Sequence, residues 1–453
     1  MAASQRAPLY RVPYLASKLL LFSLMLVWLG DVPAVTYELQ PGESFEAAVE
    51  DLHPGDVLIV HPGVYADEGR ISITVRGTQD RPVVIKAVTT GTRPHIVRHA
   101  DAEPQNTINI EGASFLTIQG LEISSNGGDG VNLSGNPAHI VLEDLNIHDV
   151  DVGVNFRSDM HRIIVRRSHI YKTGQHGGTG EGIYVGCNNA KCAVSDSLIE
   201  SNWIHNTENG SQGDGIEVKN GSHSNAVRNN VIHDTRYPCV LLYGTGGKPQ
   251  NLVEGNVMWN CGETGMQAAA DAVIRNNIVF ANMANGFISH PHQDVSPGNL
   301  RFVHNTIVGH ADCLDIRDWA GKRDIIFANN AIYCAPGTQR IADLTGVVAA
   351  GNVITPRSIV VPAGHNVVGR SAADDLMAAG VLNAYPTPSS RVIDAGSHAY
   401  APKTDFDGYA RCGKPDAGAY TWGAQRKPAW AIGPGFKRVA EVSSQHCGCA
   451  AQP

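Results

Sequence analysis

Seven asparagines that recur at nearly regular intervals are the feature that most constrains the fold of this chain. Each stands two places before a bulky residue, usually Ile or Val, and successive intervals are 28, 26, 21, 28, 25 and 22 residues: Asn202, Asn230, Asn256, Asn277, Asn305, Asn330 and Asn352. The repeats lack the 3.6-residue spacing of apolar positions that marks a helix. A drifting period of this length is typical of short strands wound into a solenoid, so the sequence predicts an all-β fold, a parallel β-helix.

Alternation within the repeats predicts which side chains face the core. In a strand, successive side chains point to opposite faces. This places one set inward, Val131, Leu133, Ile183, Val185, Ile216 and Val218, and another outward, Asn132, Asn155, Tyr184 and Glu217. The recurring asparagines are predicted to form an internal ladder of amides that bond from coil to coil.

A second column lies one place after the bulky residue of most repeats. It contains His148, Tyr171, His205, His233, Trp259, Phe280 and Tyr333. The column is rich in rings, and we expect it to form a stacked aromatic stripe whose histidines pack rather than bind metal.

The amino terminus has the features of a secretory signal. Basic residues Arg6, Arg11 and Lys18 precede an apolar run over 19–29, and small residues follow at Val32–Ala34. The run is short for a membrane span. We expect residues 1–34 to be a cleaved signal peptide, with an uncleaved anchor as the alternative. The mature protein would then be secreted or periplasmic and free of the membrane.

Composition supports this assignment and narrows the partners. The 453 residues include 48 glycines and only 17% charged residues, which suits a turn-rich β protein. The formal net charge of −8 argues against nucleic acid as a partner. Nine cysteines are spread thinly, and export permits disulfides, with Cys187 and Cys192 the pair most suited to close a small loop. We expect a monomer.

The predicted organisation has five segments. Residues 35–112 form an amino-terminal cap and the first coils, with a capped amphipathic helix over 44–52 covering the open end of the solenoid. Coils occupy 113–369, a carboxyl-terminal cap 370–424, and a flexible tail 425–453.

The densest candidate for chemistry is the segment 213–230, GDGIEVKNGSHSNAVRNN. Alternation directs Glu217 and Lys219 outward from one strand, with Asp214 at the preceding turn. Neighbouring coils add Asn155 and Tyr184 to the Glu217 column. They add Arg157, Tyr243, His290 and Arg317 to the Lys219 column, and together these residues are expected to line a shallow outward strip.

Several phrases carry a resemblance to a known family. PGDVLIVHPGVY and GTQDRPVVIKA near the start, the coils, and the closing IDAG, DFDG and GAY resemble bacterial right-handed parallel β-helix proteins. That group includes secreted polysaccharide lyases and epimerases. Residues 213–230 are similar to the catalytic strand of chondroitinase-B-like and alginate lyases.

The resemblance implies roles for individual residues. Glu217 corresponds to a calcium ligand, Lys219 to the Brønsted base, and Asn225 and Asn230 to supporting residues. Those lyases carry Arg, His and Gly at the end of the next strand, where this chain has Leu242–Gly244, so Tyr243 is predicted to take the place of the arginine as acid.

The reaction explains these residue types. Elimination across a uronate removes a weakly acidic proton beside a carboxylate, whose charge must be neutralised while a base is held close. Calcium prefers oxygen ligands, which Glu217, Asp214 and Glu181 could supply from adjacent coils. The predicted partner is an anionic polysaccharide, with Asn155, Arg157, Tyr184, Arg236 and His290 as substrate contacts.

Other assignments compete with this one. The leading alternative is a cell-envelope glycan-binding or structural solenoid without catalysis, in which Glu217 and Lys219 form only a solvated surface ion pair. A glycoside hydrolase would need two carboxylates about 5 to 9.5 Å apart, for which Glu181 and Asp214 are the candidates.

Two further groups could bind metals. The loop 289–294 carries His290 and His292, which could ligate a transition metal, although a plain loop is favoured. A set of late acids could bind calcium in the terminal cap, although their expected role is turn formation: Asp394, Asp405, Asp407 and Asp416.

Overall fold

Short strands rich in branched residues, separated by turns, wind into a right-handed parallel β-helix. The computed structural model describes residues 33–439 except 100–101, 176, 208, 282–284, 310–312, 336–343, 356–365 and 424–429. Most of the predicted signal peptide, residues 1–32, lies outside the described residues.

Three long sheets run along the solenoid, and each coil contributes a strand to them in turn. The first sheet contains Thr36–Leu39, Val57–Val60, Val83–Ala87, Ser114–Gln119, Ala138–Glu143, Met160–Arg166, Val194–Ser195, Leu198–Glu200, Ala226–Arg228, Asn251–Glu254, Ala270–Arg275, Gly298–Val303, Ile326–Ala328 and Val348–Ala350. The second contains Val64–Asp67, His95–Arg98, Glu122–Ser124, Asn146–Val150, His169–Thr173, Trp203–His205, Val231–Thr235, Val257–Cys261, Ile278–Ala281, Thr306–Gly309, Ala331–Tyr333, Val353–Thr355 and Val367–Val368.

The third sheet carries the candidate site. Its strands are Ser72–Ile73, Ile108–Glu111, Val131–Ser134, Val154–Phe156, Ile183–Val185, Ile216–Val218, Val240–Leu242, Thr264–Ala268, Asn285–Ile288 and Leu314–Asp315. A small antiparallel pair, Leu376–Ala378 with Asn383–Pro386, follows the coils. Short 3₁₀ turns occur at Asn188–Ala190, Arg317–Trp319, Ala379–Val381 and His398–Tyr400.

The core lies between the sheets and is built by the residues predicted to face inward. Ile183, Ile216 and Val240 pair in register on successive strands and are fully buried. Burying such a column removes its apolar surface from water, which is the main favourable contribution to folding.

The predicted asparagine ladder is confirmed. From Asn202 to Asn352 every member is fully buried. Asn230 is representative: its Oδ1 accepts from the backbone N–H and the Nδ2 of Asn202, and its own Nδ2 donates to Ile199 O and to Asn256 Oδ1, both at 2.9–3.0 Å. A second, shorter ladder joins Asn225 to Asn251.

The solenoid is closed at its amino-terminal end as predicted. A helix spans Phe45–Glu50, and its N-cap residue Ser44 accepts a hydrogen bond from Ala47 N at 3.1 Å. Such a cap satisfies one of the N–H groups that a helix start leaves without an internal partner. Phe45 and Val49 are buried against the first coils.

At the other end, the helix Ala372–Asp375 begins a cap in which aspartates organise turns. Asp405 accepts the N–H groups of Asp407, Tyr409 and Thr421, which agrees with the expected turn-forming role. Within the segment predicted to be a flexible tail, Lys437 is buried, and its ammonium donates to Asn229 Oδ1, Gly255 O and Phe406 O at 2.6–3.0 Å. That part of the tail is therefore anchored to the solenoid.

The predicted ring column does stack along the second sheet. Ring centroids of His205 and His233 are 4.9 Å apart, and those of His233 and Trp259 are 4.3 Å apart. Disulfides between described residues join Cys187 to Cys192, as predicted, and also Cys239 to Cys261 and Cys313 to Cys334. Within the part of the chain that the structure describes, no helix is both long and apolar enough to cross a membrane.

Candidate active site

Three neighbouring strands of the third sheet bring the candidate residues together. Glu217 lies in the strand Ile216–Val218 and pairs in register with Tyr184 of the preceding coil. Lys219 follows that strand directly, and Tyr243 follows the next strand, Val240–Leu242, so Lys219 and Tyr243 are also neighbours. The column that alternation predicted is present.

Lys219, Glu217 and Tyr243 form a closed set of contacts. The Lys219 ammonium donates to Glu217 Oε1 and, at 3.1 Å, to Tyr243 Oη. The Tyr243 hydroxyl donates to the same Glu217 oxygen at 2.7 Å. Lys219 Nζ also lies 4.9 Å from the centre of the Tyr184 ring, so two aromatic faces surround the ammonium.

The expectation of a shallow strip, and with it the alternative of a solvated surface ion pair, is wrong. Glu217 is 1% exposed, Lys219 2% and Tyr243 2%. An ion pair removed from water in this way costs desolvation energy that a surface pair does not. A buried ion pair therefore needs closely placed partners that offset this cost, whereas a solvated surface ion pair does not.

Two more carboxylates approach Glu217: Glu181 precedes the neighbouring strand Ile183–Val185, and Asp214 precedes Glu217's own strand, Ile216–Val218. Glu181, Asp214 and Glu217 each place an oxygen within 4.8 Å of the others, and all three side chains are buried. Glu181 Oε1, Asp214 Oδ1 and Glu217 Oε2 have no hydrogen-bond partner among the described residues. We call these three residues the carboxylate cluster.

The cluster has too much negative charge for its surroundings. Three carboxylates and the single Lys219 ammonium carry a formal charge of −2 when all are ionised. Burial, together with Glu217 nearby, raises the pKa of Glu181 to about 7. Burial also raises the pKa of Asp214 well above its usual range, with Glu217 and Glu181 adding to the effect. Protons or a cation must therefore neutralise the cluster near neutral pH.

The donor set fits a hard divalent cation. Calcium binds carboxylate oxygens, and three inward-directed oxygens without partners are what such an ion would satisfy. A divalent charge also matches the formal excess. Glu181, Asp214 and Glu217 are the residues that would hold it.

The phenol of Tyr243 is kept protonated. Burial raises its pKa, and the Glu217 carboxylate adds to the shift both by its charge and by accepting the phenol hydrogen. Burial likewise raises the pKa of Tyr184, whose hydroxyl donates to Asn188 Oδ1 at 3.1 Å. Tyr243 can therefore serve as a proton donor at neutral pH.

A hairpin turn within the loop that the sequence analysis considered for metal binding packs on this set. His292 and Val295 exchange backbone hydrogen bonds at 2.9 and 3.0 Å, and the His292 ring lies 4.8 Å from the ring of Tyr243. We call residues 291–295 the covering hairpin. Sequence reasoning treated this segment as a plain loop because nothing periodic connects it to the strand that it covers.

The remaining predicted substrate contacts are spread around the cluster. Asn155 is buried one coil away, and its Nδ2 donates to Asp129 at 2.8 Å. Arg157 is exposed and lies 6.0 Å from the Tyr184 ring centre. Arg236 is exposed at the turn between coils, and His290 is half-buried beside the covering hairpin. The structure thus gathers the catalytic and metal candidates tightly and leaves Arg236 and His290 at the edge.

Two alternative sites were also predicted. Glu181 and Asp214 each place an oxygen within 4.8 Å of the other, which is too close for the separation of about 6.5 to 9.5 Å in an inverting glycosidase and near the separation of about 5 to 5.5 Å in a retaining one. His290 and His292 have ring centroids 6.1 Å apart, and no third histidine, cysteine or carboxylate among the described residues completes a metal site with them.

Comparison with known proteins agrees with this architecture. A family model described as the right handed beta helix region matches residues 96–250 and 208–332. Pectate lyase Pel9A is similar in structure, with TM-score 0.54, 15% identity and coverage of 85% of this chain and 96% of that one. The PL6 family alginate lyase AlyGC has TM-score 0.51, 17% identity and coverage of 82% and 59%. XylC, solved with xylose, has TM-score 0.52, 12% identity and coverage of 85% and 98%. At these identities the likeness concerns the fold, and no curated protein matches the chain in sequence.

Proposed function

This chain belongs to the right-handed β-helix family, and we propose that it is an exported polysaccharide lyase or epimerase that acts on a uronate-containing polymer. The observation that carries the proposal is the buried set formed by Lys219, Tyr243 and the carboxylate cluster. A charged group that is buried without full compensation is costly, and such groups concentrate at functional sites.

The two catalytic roles follow from the contacts. Lys219 is the base: it takes the proton from the carbon beside the uronate carboxylate after its ammonium, which pairs with Glu217 in the structure, has released its own proton. Tyr243, whose phenol stays protonated, donates its proton to the departing glycosidic oxygen as the carbon–oxygen bond breaks and a carbon–carbon double bond forms. Their polar atoms lie 3.1 Å apart, so both would reach the same sugar residue. In an epimerase, the same abstraction would be followed by return of a proton to the opposite face.

The carboxylate cluster would hold a calcium ion. When bound, such an ion supplies positive charge that neutralises a substrate carboxylate and lowers the cost of removing the adjacent proton. Glu217 would link the two parts of the site, since its Oε1 accepts from Lys219 and Tyr243 while its Oε2 faces the other carboxylates.

Substrate access would require the covering hairpin to move. With Lys219 2% exposed, no polymer reaches its amine while His292 lies on Tyr243. Arg157, exposed beside Tyr184, is placed to pair with a carboxylate of a neighbouring sugar. Export is supported by the disulfides, which persist in oxidising compartments.

An absorbance assay tests the lyase form of the proposal. The purified protein is mixed with polymannuronate, polyguluronate, polygalacturonate and chondroitin with calcium present, and ultraviolet absorbance reports the new double bond. Each polymer is also incubated in deuterated buffer, so that deuterium at the carbon beside the carboxylate reports an epimerase. Absence of both signals on every polymer would contradict the proposal and favour a binding protein without catalysis.

A further inference from the structure

A second cluster of possible metal ligands lies on the second sheet, away from the proposed active site. His95, Glu122 and His148 stand on the strands His95–Arg98, Glu122–Ser124 and Asn146–Val150, which are consecutive neighbours in that sheet. One donor atom from each lies within 4.8 Å of the others, and all three side chains are half-buried.

The hydrogen-bond pattern of His148 points to a ligand. Its Nδ1 lies 2.7 Å from Asp149 Oδ2, and its Nε2 lies 3.0 Å from Glu122 Oε1. With both nitrogens protonated, the ring would donate to both carboxylates. With a single N–H it donates to one of them, and its other nitrogen is then available to bind a cation that the second carboxylate also binds.

The contact with Asp149 matches the outer shell of known metal sites. Histidine ligands commonly donate their second N–H to a carboxylate, which fixes the tautomer and makes the metal-binding nitrogen more basic. Asp149 would hold the N–H on Nδ1 and leave Nε2 free to bind. Stacking of His148 on Tyr171, with centroids 5.1 Å apart, further fixes the ring.

His95 is suited to complete the set. Its Nε2 lies 2.8 Å from Ser124 Oγ, a partner that can donate or accept. His95 and Glu122 pair in register on adjacent strands, so the backbone already holds them side by side.

We propose that His95, Glu122 and His148 bind a divalent transition-metal ion, with zinc the ion that best fits the donor set. Two imidazoles and one carboxylate are ligands that zinc accepts with tetrahedral geometry at about 2.0 to 2.2 Å, the fourth position being filled by water. Donor atoms around such an ion are about 3.4 Å apart, so the three side chains, whose donor atoms lie within 4.8 Å of one another, would move slightly closer on binding. The ion would tie three consecutive coils together.

This site differs in chemistry from the carboxylate cluster. The cluster offers only oxygens, which favour calcium, whereas this site offers imidazole nitrogens, which favour zinc. The two sites lie on different sheets and share no residue. The inference is therefore independent of the proposed function.

Zinc binding to the untagged, metal-stripped full chain tests the proposal. Calorimetry is expected to show one zinc site, and cobalt titration to give the visible absorption of a tetrahedral site. His95→Ala and His148→Ala are expected to weaken zinc binding on the order of 100-fold or more. Asp149→Asn is expected to weaken it about 10- to 100-fold, the usual cost of an outer-shell change.

Controls separate this site from other metal binding. His139→Ala, which removes a half-buried stacked histidine from the first sheet, and Glu217→Gln, in the carboxylate cluster, should both leave zinc affinity unchanged. Glu122→Gln provides a conservative variant should a histidine variant fail to fold. Absence of zinc binding by the parent, or unchanged affinity in all three of His95→Ala, Glu122→Gln and His148→Ala, would overturn the proposal.

Discussion

The asparagine ladder and the carboxylate cluster are both stacks of buried polar side chains that run from coil to coil, yet they are built in opposite ways. In the ladder, each amide accepts from the preceding member and donates to the next, as Asn256 does with Asn230 and Asn277. In the cluster, three carboxylate oxygens have no partner among the described residues. The ladder amides find their hydrogen-bond partners within the protein, whereas the carboxylate cluster needs protons or a cation to neutralise it.

The difference distinguishes a structural polar stack from a functional one. A satisfied buried amide repays its desolvation through hydrogen bonds, so it stabilises one register of the coils. A buried carboxylate without a partner destabilises the fold, and selection for folding alone would remove it. Its presence beside Lys219 and Tyr243 is what the proposed binding of a cation and a substrate would explain.

The test with the largest expected effect on the proposed active site is the removal of the Lys219 side chain. Lys219→Ala should reduce turnover on a confirmed polymer by about 100- to 10,000-fold, the usual contribution of a positioned acid or base. The variant should also be less stable, since Glu217 loses its buried counter-charge. Activity is therefore measured well below its melting temperature.

Lys172→Ala, which removes a lysine that is 56% exposed on the second sheet, is the matched control and should retain full turnover. If Lys219→Ala and the parent have equal turnover, the buried ion pair is structural. The contrast between a structural ladder and a functional carboxylate cluster would then be wrong.

The structural side is tested by a change in the middle of the ladder. Asn256→Leu removes four hydrogen bonds, with Asn230 N, Asn230 Nδ2, Val227 O and Asn277 Oδ1. Asn230 Nδ2 still donates to Ile199 O and Asn277 Oδ1 still accepts from the backbone N–H of residue 256, so Asn230 N and Val227 O are the groups left without these partners. Each unsatisfied buried group costs about 1 to 3 kcal/mol, and partial relaxation should bring the loss in unfolding free energy to roughly 3 to 5 kcal/mol.

Denaturant unfolding measures that loss. Gln119→Leu, on the outer face of the strand Ser114–Gln119, is the control and should change stability by about 0.5 kcal/mol or less. A similar small change for Asn256→Leu would show that the ladder contributes little beyond the apolar core.

The asparagine ladder and the shared face of the site residues could both be predicted from the sequence. The recurring asparagines predicted the ladder because the coil repeat imposes one structural position on each of them. Alternation also predicted that Glu217 and Lys219 share a face and that Tyr243 stands beside Lys219, since register in a parallel sheet follows from the repeat.

Burial of the site could not be predicted in the same way. Burial of Tyr243 depends on the covering hairpin, which belongs to a later coil. No repeated pattern in the sequence indicates that the hairpin contacts Tyr243. The anchoring of Lys437 is similar, because its three oxygen partners come from separate parts of the chain. Contacts made by loops over long distances leave no periodic signal.

The excess negative charge of the carboxylate cluster should appear as a dependence of stability on pH. The pKa of Glu181 in the folded protein, about 7, lies above its usual value near 4.5, so the stability contributed by its protonated form is present below about pH 4.5 and is lost as pH rises through 7. The loss should be on the order of 3 kcal/mol by pH 8 in metal-free protein, and the raised pKa of Asp214 acts in the same direction.

Melting temperatures with and without calcium between pH 5 and 8 measure the effect. Calcium should restore most of the stability at high pH, and Glu181→Gln should flatten the pH dependence of the metal-free protein. An identical slope in Glu181→Gln would assign the dependence to other groups, and no response to calcium would contradict the cation assignment.

The smallest expected effect concerns the covering hairpin, whose His292 ring packs on Tyr243. Burial lowers the pKa of His292, with His290 and Lys219 adding to the shift, so the ring that packs on Tyr243 is neutral at pH 7. His292→Ala would admit water to the site and weaken the electrostatic interactions there, and we expect about a tenfold loss in turnover.

If the ring acts by packing, the turnover of His292→Phe should stay within about threefold of the parent, because it keeps an aromatic face on Tyr243. His161→Ala, an exposed histidine of the first sheet, should have no effect. A loss in His292→Phe as large as that in His292→Ala would instead show that the imidazole nitrogens take part in proton transfer.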